Sequence, residues 1–144
     1  MTLSVHAAGR TGEETVPEAL RRAGIDQHSL IQITGPDGFA TLLWLCRHGF
    51  ENVGYVRSGA PCPAETPDAL FIPHACTGER LAALLDRGPR VHPGGVLVLR
   101  AAAGEGAAVE TVLRRFGYRV VARLGRRRRE VCLAQRAASL LAAA

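Results

Sequence analysis

Two groups of residues have the types and spacing that chemistry at a small-molecule site needs. The turn Gly35-Pro36-Asp37-Gly38 joins a short β-branched run to an apolar helical segment. Free N–H groups at a helix N-terminus bind anions and nucleotides, although any strand–helix turn also favours Gly, Pro and Asp. His74 follows another apolar run, where it could act as a general base or simply cap nearby backbone. The turn predicts a ligand site, with His74 at its rim.

A third group is a run of four arginines between two segments of alternating polarity. It consists of Arg126, Arg127, Arg128 and Arg129. Such a cluster could bind the phosphates of nucleic acid or a protein partner. It could also be a solvated hairpin tip that protects a sheet edge from unwanted pairing. No interleaved aromatic residue supports base stacking, so nucleic-acid binding is predicted from charge alone.

Metal chemistry finds little support in the spacing of the possible ligands. Cys62, His74, Cys76 and His92 lie in one half of the chain but lack the short paired spacing of structural zinc sites. Free cysteines within apolar runs behave as small buried hydrophobes. We therefore predict no metal site and no disulfide framework.

Apolar periodicity and turn residues predict alternating strands and helices. The segment after Pro17 and those opening at Phe39, Thr77 and Ala107 are predicted helices; the second is apolar nearly all round, which is typical of a buried helix. The predicted strands are 30–34, 52–57, 68–72 and 96–100, followed by a hairpin of 118–124 and 130–135. This order predicts a mostly parallel α/β sheet with an antiparallel C-terminal hairpin.

Composition agrees with a single soluble domain in a chain of 144 residues, of which 47% are hydrophobic and 22% charged. We predict a flexible leader at 1–15, one α/β domain at 16–136 and a tail at 137–144. No apolar run approaches the roughly 20 residues of a membrane span, which favours a cytoplasmic protein without membrane contact. All 18 basic residues are Arg, and nine of them lie between Arg114 and Arg136 against one acid, Glu130. The net charge of +5 is therefore concentrated near the hairpin.

Three segments, in this order, resemble class I S-adenosylmethionine (SAM)-dependent methyltransferases. The first strand–helix–strand unit of that family is resembled by the glycine turn and apolar helix together with the segment that follows them, HGFENVGYV. RVHPGGVLVLR resembles the strand after its Pro-Gly-Gly turn, and LRRFGYRVVAR with EVCLAQR resembles its closing hairpin. The resemblance implies a three-layer, Rossmann-like methyltransferase fold over roughly residues 30–136. Only the ten residues 58–67 stand where the family has a further strand and helices, so one outer strand is predicted to be missing.

The cofactor motif of the family is degenerate here. Its acidic-x-Gly-x-Gly-x-Gly pattern falls on Ile33, Gly35, Asp37 and Phe39, and a shift by one residue would let Gly38 replace one glycine. The family's ribose-binding acid at the end of the second strand would be Arg57, which has only donors and suits a phosphate or carboxylate. The resemblance thus implies that any SAM would contact Gly35, Asp37, Gly38, Phe39 and Arg57, with His74 facing a methyl acceptor.

Three functions follow from these residues. The first is a methyltransferase-like pseudoenzyme with a degraded SAM site that binds or regulates a protein partner. The second is an active SAM-dependent methyltransferase with an atypical cofactor loop. The third is nucleic-acid binding through Arg126–Arg129. Loss of an outer strand would also leave residues 52–57 as an open edge, which predicts pairing with a second copy as a homodimer.

Overall fold

The computed structural model of the protein describes residues 14–35, 38–56, 66–88, 90–125 and 130–138. Within these ranges the chain forms four helices and six strands, and the last two strands form a closing hairpin. The helices are α1 (Val16–Arg22), α2 (Gly38–Arg47), α3 (Gly78–Arg87) and α4 (Gly106–Arg115). The strands are β1 (Ile31–Thr34), β2 (Val53–Val56), β3 (Ala69–Cys76), β4 (Val96–Ala101), β5 (Tyr118–Leu124) and β6 (Val131–Arg136).

The strands form one sheet in the order β2-β1-β3-β4-β6-β5. β1 to β4 run parallel, and β6 pairs antiparallel with both β4 and β5. This confirms the predicted parallel sheet with an antiparallel hairpin. Among the described residues no strand pairs with the outer side of β2, as expected for a fold that lacks one outer strand.

The sheet is the middle of three layers, with a separate apolar core on each face. Leu20 of α1 and Leu45 of α2 pack with Ile31, Ile33 and strand residues of the first face. Leu81 and Leu85 of α3 and Val109 and Leu113 of α4 belong to the core of the other face. The parallel strand β4 contributes to both cores, since Val96 and Val98 face the first and Leu97 and Leu99 the second.

Capping interactions fix where α1 and α3 begin. The Thr15 hydroxyl accepts from the Glu18 N–H at 3.3 Å, and the Glu18 carboxylate accepts from the Thr15 N–H at 2.9 Å, which completes a capping box. The Thr77 hydroxyl accepts from the Arg80 N–H at 3.1 Å. Glu105, more distant in sequence, accepts from the Gly78 N–H at 2.9 Å and thus connects the start of α3 to the start of α4.

Two local predictions differ from the structure. β3 does not end at residue 72 but continues to Cys76, because a register irregularity between Phe71 and Ala75 restores the pairing with β4 beyond Pro73. His74 therefore belongs to a strand and not to a loop. α2 is also less buried than its all-apolar sequence indicates, since Phe39 is 69% and Leu43 40% exposed.

No helix among the described residues is long and apolar enough to cross a membrane.

Candidate functional site

The turn after β1 lies at the topological switch point of the sheet, where the chain connects β1 first to a strand on one side and later to a strand on the other. β1 is flanked by β2 on one side and by β3 on the other, and α2 starts directly beyond the turn. In open α/β sheets the crevice at the carboxyl ends of the strands at such a point is the usual ligand site. Gly35 occupies this place with a φ of +97°, a conformation that side chains with a Cβ rarely adopt.

The imidazole of His74 fills the space beside Gly35. A Cβ added to Gly35 would lie 2.5 Å from both Cε1 and Nδ1 of His74, well inside van der Waals contact. The glycine therefore lets a side chain of the protein approach the backbone closely. The predicted closeness of His74 to the turn agrees with this arrangement.

Tyr55 of β2 closes the turn from the opposite side. Its hydroxyl donates to the carbonyl oxygen of Gly35 at 2.6 Å. A Cβ on Gly38 would lie 2.4 Å from Cε1 of the same ring, so Gly38 also accommodates a side chain of this chain. The ring is nonetheless 51% exposed, because β2 is at the edge of the sheet. Gly35, Gly38, Tyr55 and His74 form one contiguous cluster, which we call the turn cluster.

Tyr55 is a residue of the cluster that the sequence does not indicate. Its place follows from the strand register, in which Tyr55 pairs with Ile33, two residues before Gly35. Of the other predicted cofactor contacts, Phe39 is in the first turn of α2 with its ring mostly in solvent. Asp37 and Arg57 lie outside the described residues, so their predicted roles stay predictions.

An exposed apolar patch adjoins the turn cluster. Phe39, Leu43 and Tyr55 are the large hydrophobic side chains that are exposed among the described residues. Phe39 and Leu43 are four residues apart and thus share one face of α2, while Tyr55 lies on the neighbouring strand β2. Since β2 is an edge strand, this apolar patch and the open edge form one surface.

The pairing of β2 with β1 shows which of its backbone groups point away from the sheet. The Asn52 carbonyl accepts from the Ile31 N–H at 2.9 Å, which directs the backbone of residue 52 towards β1. Because successive residues of a strand direct their N–H and C=O groups to opposite sides, Gly54 and Val56 also face β1. The N–H and C=O groups of Val53 and Tyr55 consequently point outward, where no described strand receives them.

The arginine-rich hairpin is only partly described. The four arginines predicted to contact nucleic acid or a partner all lie outside the described residues; they are Arg126, Arg127, Arg128 and Arg129. Their role therefore stays a prediction. On the strand leading to them, Arg123 forms ion pairs with Glu110 of α4 and with Glu130, just before β6. Part of the positive charge of this region is thus balanced within the protein.

The described cysteines are free thiols in two different environments. Cys46 is exposed on α2, whereas Cys76 and Cys132 are buried. Burial raises the pKa of the Cys76 thiol and raises that of Cys132 to about 11, so both stay protonated at neutral pH. Within the described ranges no three His, Cys, Asp or Glu side chains are grouped so that they could hold a metal ion.

The described fold is that of the SAM-dependent methyltransferases, as the sequence resemblance implies. Several solved structures of this class superpose on the chain at low sequence identity, whereas no protein-family model and no curated protein matches its sequence. The similarity at this level of identity concerns the fold.

Three solved structures, two of them methyltransferases by description, illustrate the similarity of fold. A ribosomal protein L11 methylase from Lactobacillus delbrueckii subsp. bulgaricus gives a TM-score of 0.62 at 10% identity, covering 82% of this chain and 74% of its own. A protein of the NADB-Rossmann superfamily from Streptococcus agalactiae gives 0.60 at 13% identity, covering 90% and 72%. The magnesium protoporphyrin IX methyltransferase of Synechocystis PCC 6803 with bound SAH gives 0.56 at 11% identity, covering 94% and 82%.

Proposed function

We propose that this protein is a methyltransferase-like binding module that does not transfer methyl groups, and that it acts by pairing with a protein, in the first instance a second copy of itself. The proposal that the protein does not transfer methyl groups is supported by the turn cluster. In the fold's usual ligand crevice, the room provided by Gly35 and Gly38 is taken by His74 and Tyr55. A SAM atom at the position of an added Cβ on Gly35 or Gly38 would collide with the ring of His74 or of Tyr55.

The degenerate motif supports the same conclusion. Ile33 stands where the family pattern has an acid, and Asp37 and Phe39 stand where it has glycines. Asp37 would add a carboxylate near the amino-acid end of SAM, which has a carboxylate of its own, and like charges repel each other. His74 also packs closely against Gly35, so the ring that would serve as a general base contacts the turn itself.

Calorimetric titration of SAM and S-adenosylhomocysteine into the protein tests the first half of the proposal. We expect no binding heat with either ligand at micromolar concentrations. A Tyr55→Ala/His74→Ala double variant, which empties the crevice, should gain weak binding if the two rings are what excludes the cofactor. Micromolar binding to the unaltered protein, followed by methyl transfer to any acceptor, would instead establish the active methyltransferase.

The second half rests on the surface formed by the edge of β2 and the apolar patch. A second copy can add its own β2 antiparallel to the first, which continues the sheet across a twofold axis. The outward N–H and C=O groups of Val53 and Tyr55 would then be paired, and Phe39 and Leu43 of both copies would be covered. A twofold contact suits this surface. Its central elements are one short strand and one helix face, and each would meet the same element of the second copy.

Light scattering coupled to size exclusion measures the predicted state. We expect a dimer mass for the unaltered protein and a monomer mass for Phe39→Ser/Leu43→Ser. Ala83→Ser/Ala107→Ser, on exposed positions of α3 and α4, serves as the control and should remain dimeric. A monomer mass for the unaltered protein at working concentration would overturn the dimer, while leaving the result of the SAM titration unaffected.

A further inference from the structure

A second concave site lies on the face of the sheet that carries α1 and α2. These helices leave a groove of about 310 Å³ between them, above β3 and β4. Val16 of α1 and Thr41 and Trp44 of α2 line its sides, while Phe71 and Val98 line it from the strands. We call this space the α1–α2 groove. Its lining is almost entirely apolar, as is typical of small-molecule pockets, and its volume is at the lower end of their range.

One cation stands at the end of this apolar lining. Arg100 of β4 lines the α1–α2 groove and is only partly exposed. Its guanidinium donates from Nη2 to the Pro73 carbonyl oxygen at 3.3 Å, which is the hydrogen bond that it forms among the described residues. None of the ion pairs of the described chain includes it.

In these surroundings Arg100 has N–H donors that remain available to a negatively charged group. The guanidinium has five N–H donors in a planar fork that matches a carboxylate through two parallel hydrogen bonds. Partial burial without a carboxylate costs free energy that an incoming anion would recover. The groove therefore combines an apolar space with one charge-selective end.

We propose that the α1–α2 groove binds a small amphiphilic carboxylate, with the carboxylate on Arg100 and an apolar chain along Trp44, Phe71 and Val98. The volume of the groove suits a ligand with roughly the dimensions of a medium-chain fatty acid. The lining of the groove includes none of the four residues of the turn cluster. It also lies on different residues from the apolar patch proposed for dimerisation.

The chain provides its own reporter for this site. Trp44 is the single tryptophan of the sequence, and it lines the groove. Titrations of octanoate, octan-1-ol and octylammonium can therefore be followed by intrinsic fluorescence. We expect the affinity for octanoate to exceed that for octanol by about tenfold or more. A hydrogen bond to a charged group changes a binding constant by about this factor. Octylammonium should bind more weakly than either.

Two variants separate the contributions of charge and space. Arg100→Gln should reduce octanoate binding to that of octanol, and Arg100→Lys should restore part of the preference. Ala40→Phe, which narrows the groove from α2, should weaken octanoate and octanol alike. Arg87→Gln removes an exposed arginine at the end of α3, outside the groove, and should bind as the unaltered protein does.

The comparison of the three probes needs no variant and tests whether the groove prefers an anion, while Arg100→Gln tests whether Arg100 is the cause. Equal affinities for octanoate and octanol would show that Arg100 does not select an anion. The proposal is also overturned if Trp44 fluorescence does not respond to octanoate up to millimolar concentration. A tenfold preference that survives Arg100→Gln in a folded protein would place the carboxylate elsewhere.

Discussion

The Tyr55 hydroxyl donates a hydrogen bond to the carbonyl oxygen of Gly35 at 2.6 Å, across 20 residues of sequence. The bond connects the edge strand β2 to the turn at which α2 begins. Because the ring of the same tyrosine also lies against Gly38, one side chain holds the turn at two points. The glycines of this turn are thus explained by contacts inside the protein, without a ligand.

Loss of this hydrogen bond should lower stability by a measurable amount. Tyr55→Phe keeps the ring against Gly38 and removes only the donor, so we expect the free energy of unfolding to fall by about 1 kcal/mol. Tyr55→Leu removes both contacts and should cost more. Urea denaturation followed by Trp44 fluorescence measures both changes. A Tyr55→Phe variant as stable as the unaltered protein would mean that water replaces the bond at no cost.

The close contact between Gly35 and His74 predicts that Gly35→Ala is destabilised by a steric clash, in addition to the cost of placing alanine at a positive φ. Gly24 provides the matched control, because its φ of +96° equals that of Gly35 within a degree but no atom lies within 4 Å of its added Cβ. Gly24→Ala should cost about 1 kcal/mol for the left-handed backbone alone. Gly35→Ala should cost more, since its Cβ meets the His74 ring.

A double-mutant cycle isolates the contact with His74. In a His74→Ala background the cost of Gly35→Ala should drop to that of Gly24→Ala, which gives a coupling energy between the two positions. Equal costs in both backgrounds, measured by urea denaturation, would mean that the ring moves aside freely. In that case the crevice could admit a cofactor without strain, and the proposed exclusion of SAM would lose its support.

Much of the fold could be predicted from local sequence, because each element has its own signal. Thr77 before α3 and the apolar run of β4 fix their elements within one residue of the prediction. The exceptions depend on tertiary context. β3 passes Pro73, which by itself indicates a strand end, because an irregularity in the ladder lets Ala75 pair again with Arg100. The exposure of Phe39, at 69%, depends on which elements pack beside α2, and the apolar sequence of the helix does not specify that.

The candidate site was less predictable than the fold. Gly35 and Gly38 are recognisable as turn residues and His74 as the end of an apolar run, and the structure brings them together through Tyr55. Tyr55 joins them through the parallel register of β1 and β2, a long-range property that one strand's sequence does not specify. The partial burial of Arg100, which forms no ion pair within the described ranges, likewise depends on which side chains from other elements surround it.

The orientation of the β2 backbone predicts opposite effects for proline at adjacent positions. Val53→Pro removes an N–H that points away from β1, so the sheet should form while pairing with a second copy is lost. Gly54→Pro removes an N–H that faces β1 and should prevent stable folding. Circular dichroism reports folding and light scattering reports mass. A dimeric Val53→Pro variant would show that any dimer uses another surface.

Acid should weaken the start of α1 through its capping box. Hydrogen bonds from the Thr15 N–H and hydroxyl lower the pKa of Glu18. A carboxyl whose pKa is lowered by folding contributes stability above its unfolded value, and this contribution disappears as pH falls through the folded value. We therefore expect the unfolding free energy to decrease below about pH 4.

The Glu18→Ala variant tests the origin of that decrease. It should lose stability at pH 7 but change less between pH 7 and pH 3.5 than the unaltered protein does. Glu79→Ala, which removes an acid from the first turn of α3, is the control and should keep the full acid dependence. Urea denaturation at both pH values gives the comparison. An identical acid dependence in Glu18→Ala would assign the effect to other carboxyls.

Thiol reactivity should distinguish the surface of α2 from the two cores. In a Cys62→Ser protein at pH 8, we expect one thiol, that of exposed Cys46, to react rapidly with a disulfide reagent such as DTNB. Cys76 and Cys132 should react only after unfolding, because they are buried and their raised pKa values leave almost no thiolate. Cys46→Ser should abolish the fast reaction.

The same reaction also reports on the proposed dimer. If a dimer forms through the exposed face of α2, the rate for Cys46 should fall as protein concentration rises, since the partner would cover that helix. Light scattering at the same concentrations shows where the mass doubles. A rate independent of concentration across that range would place the contact away from Cys46.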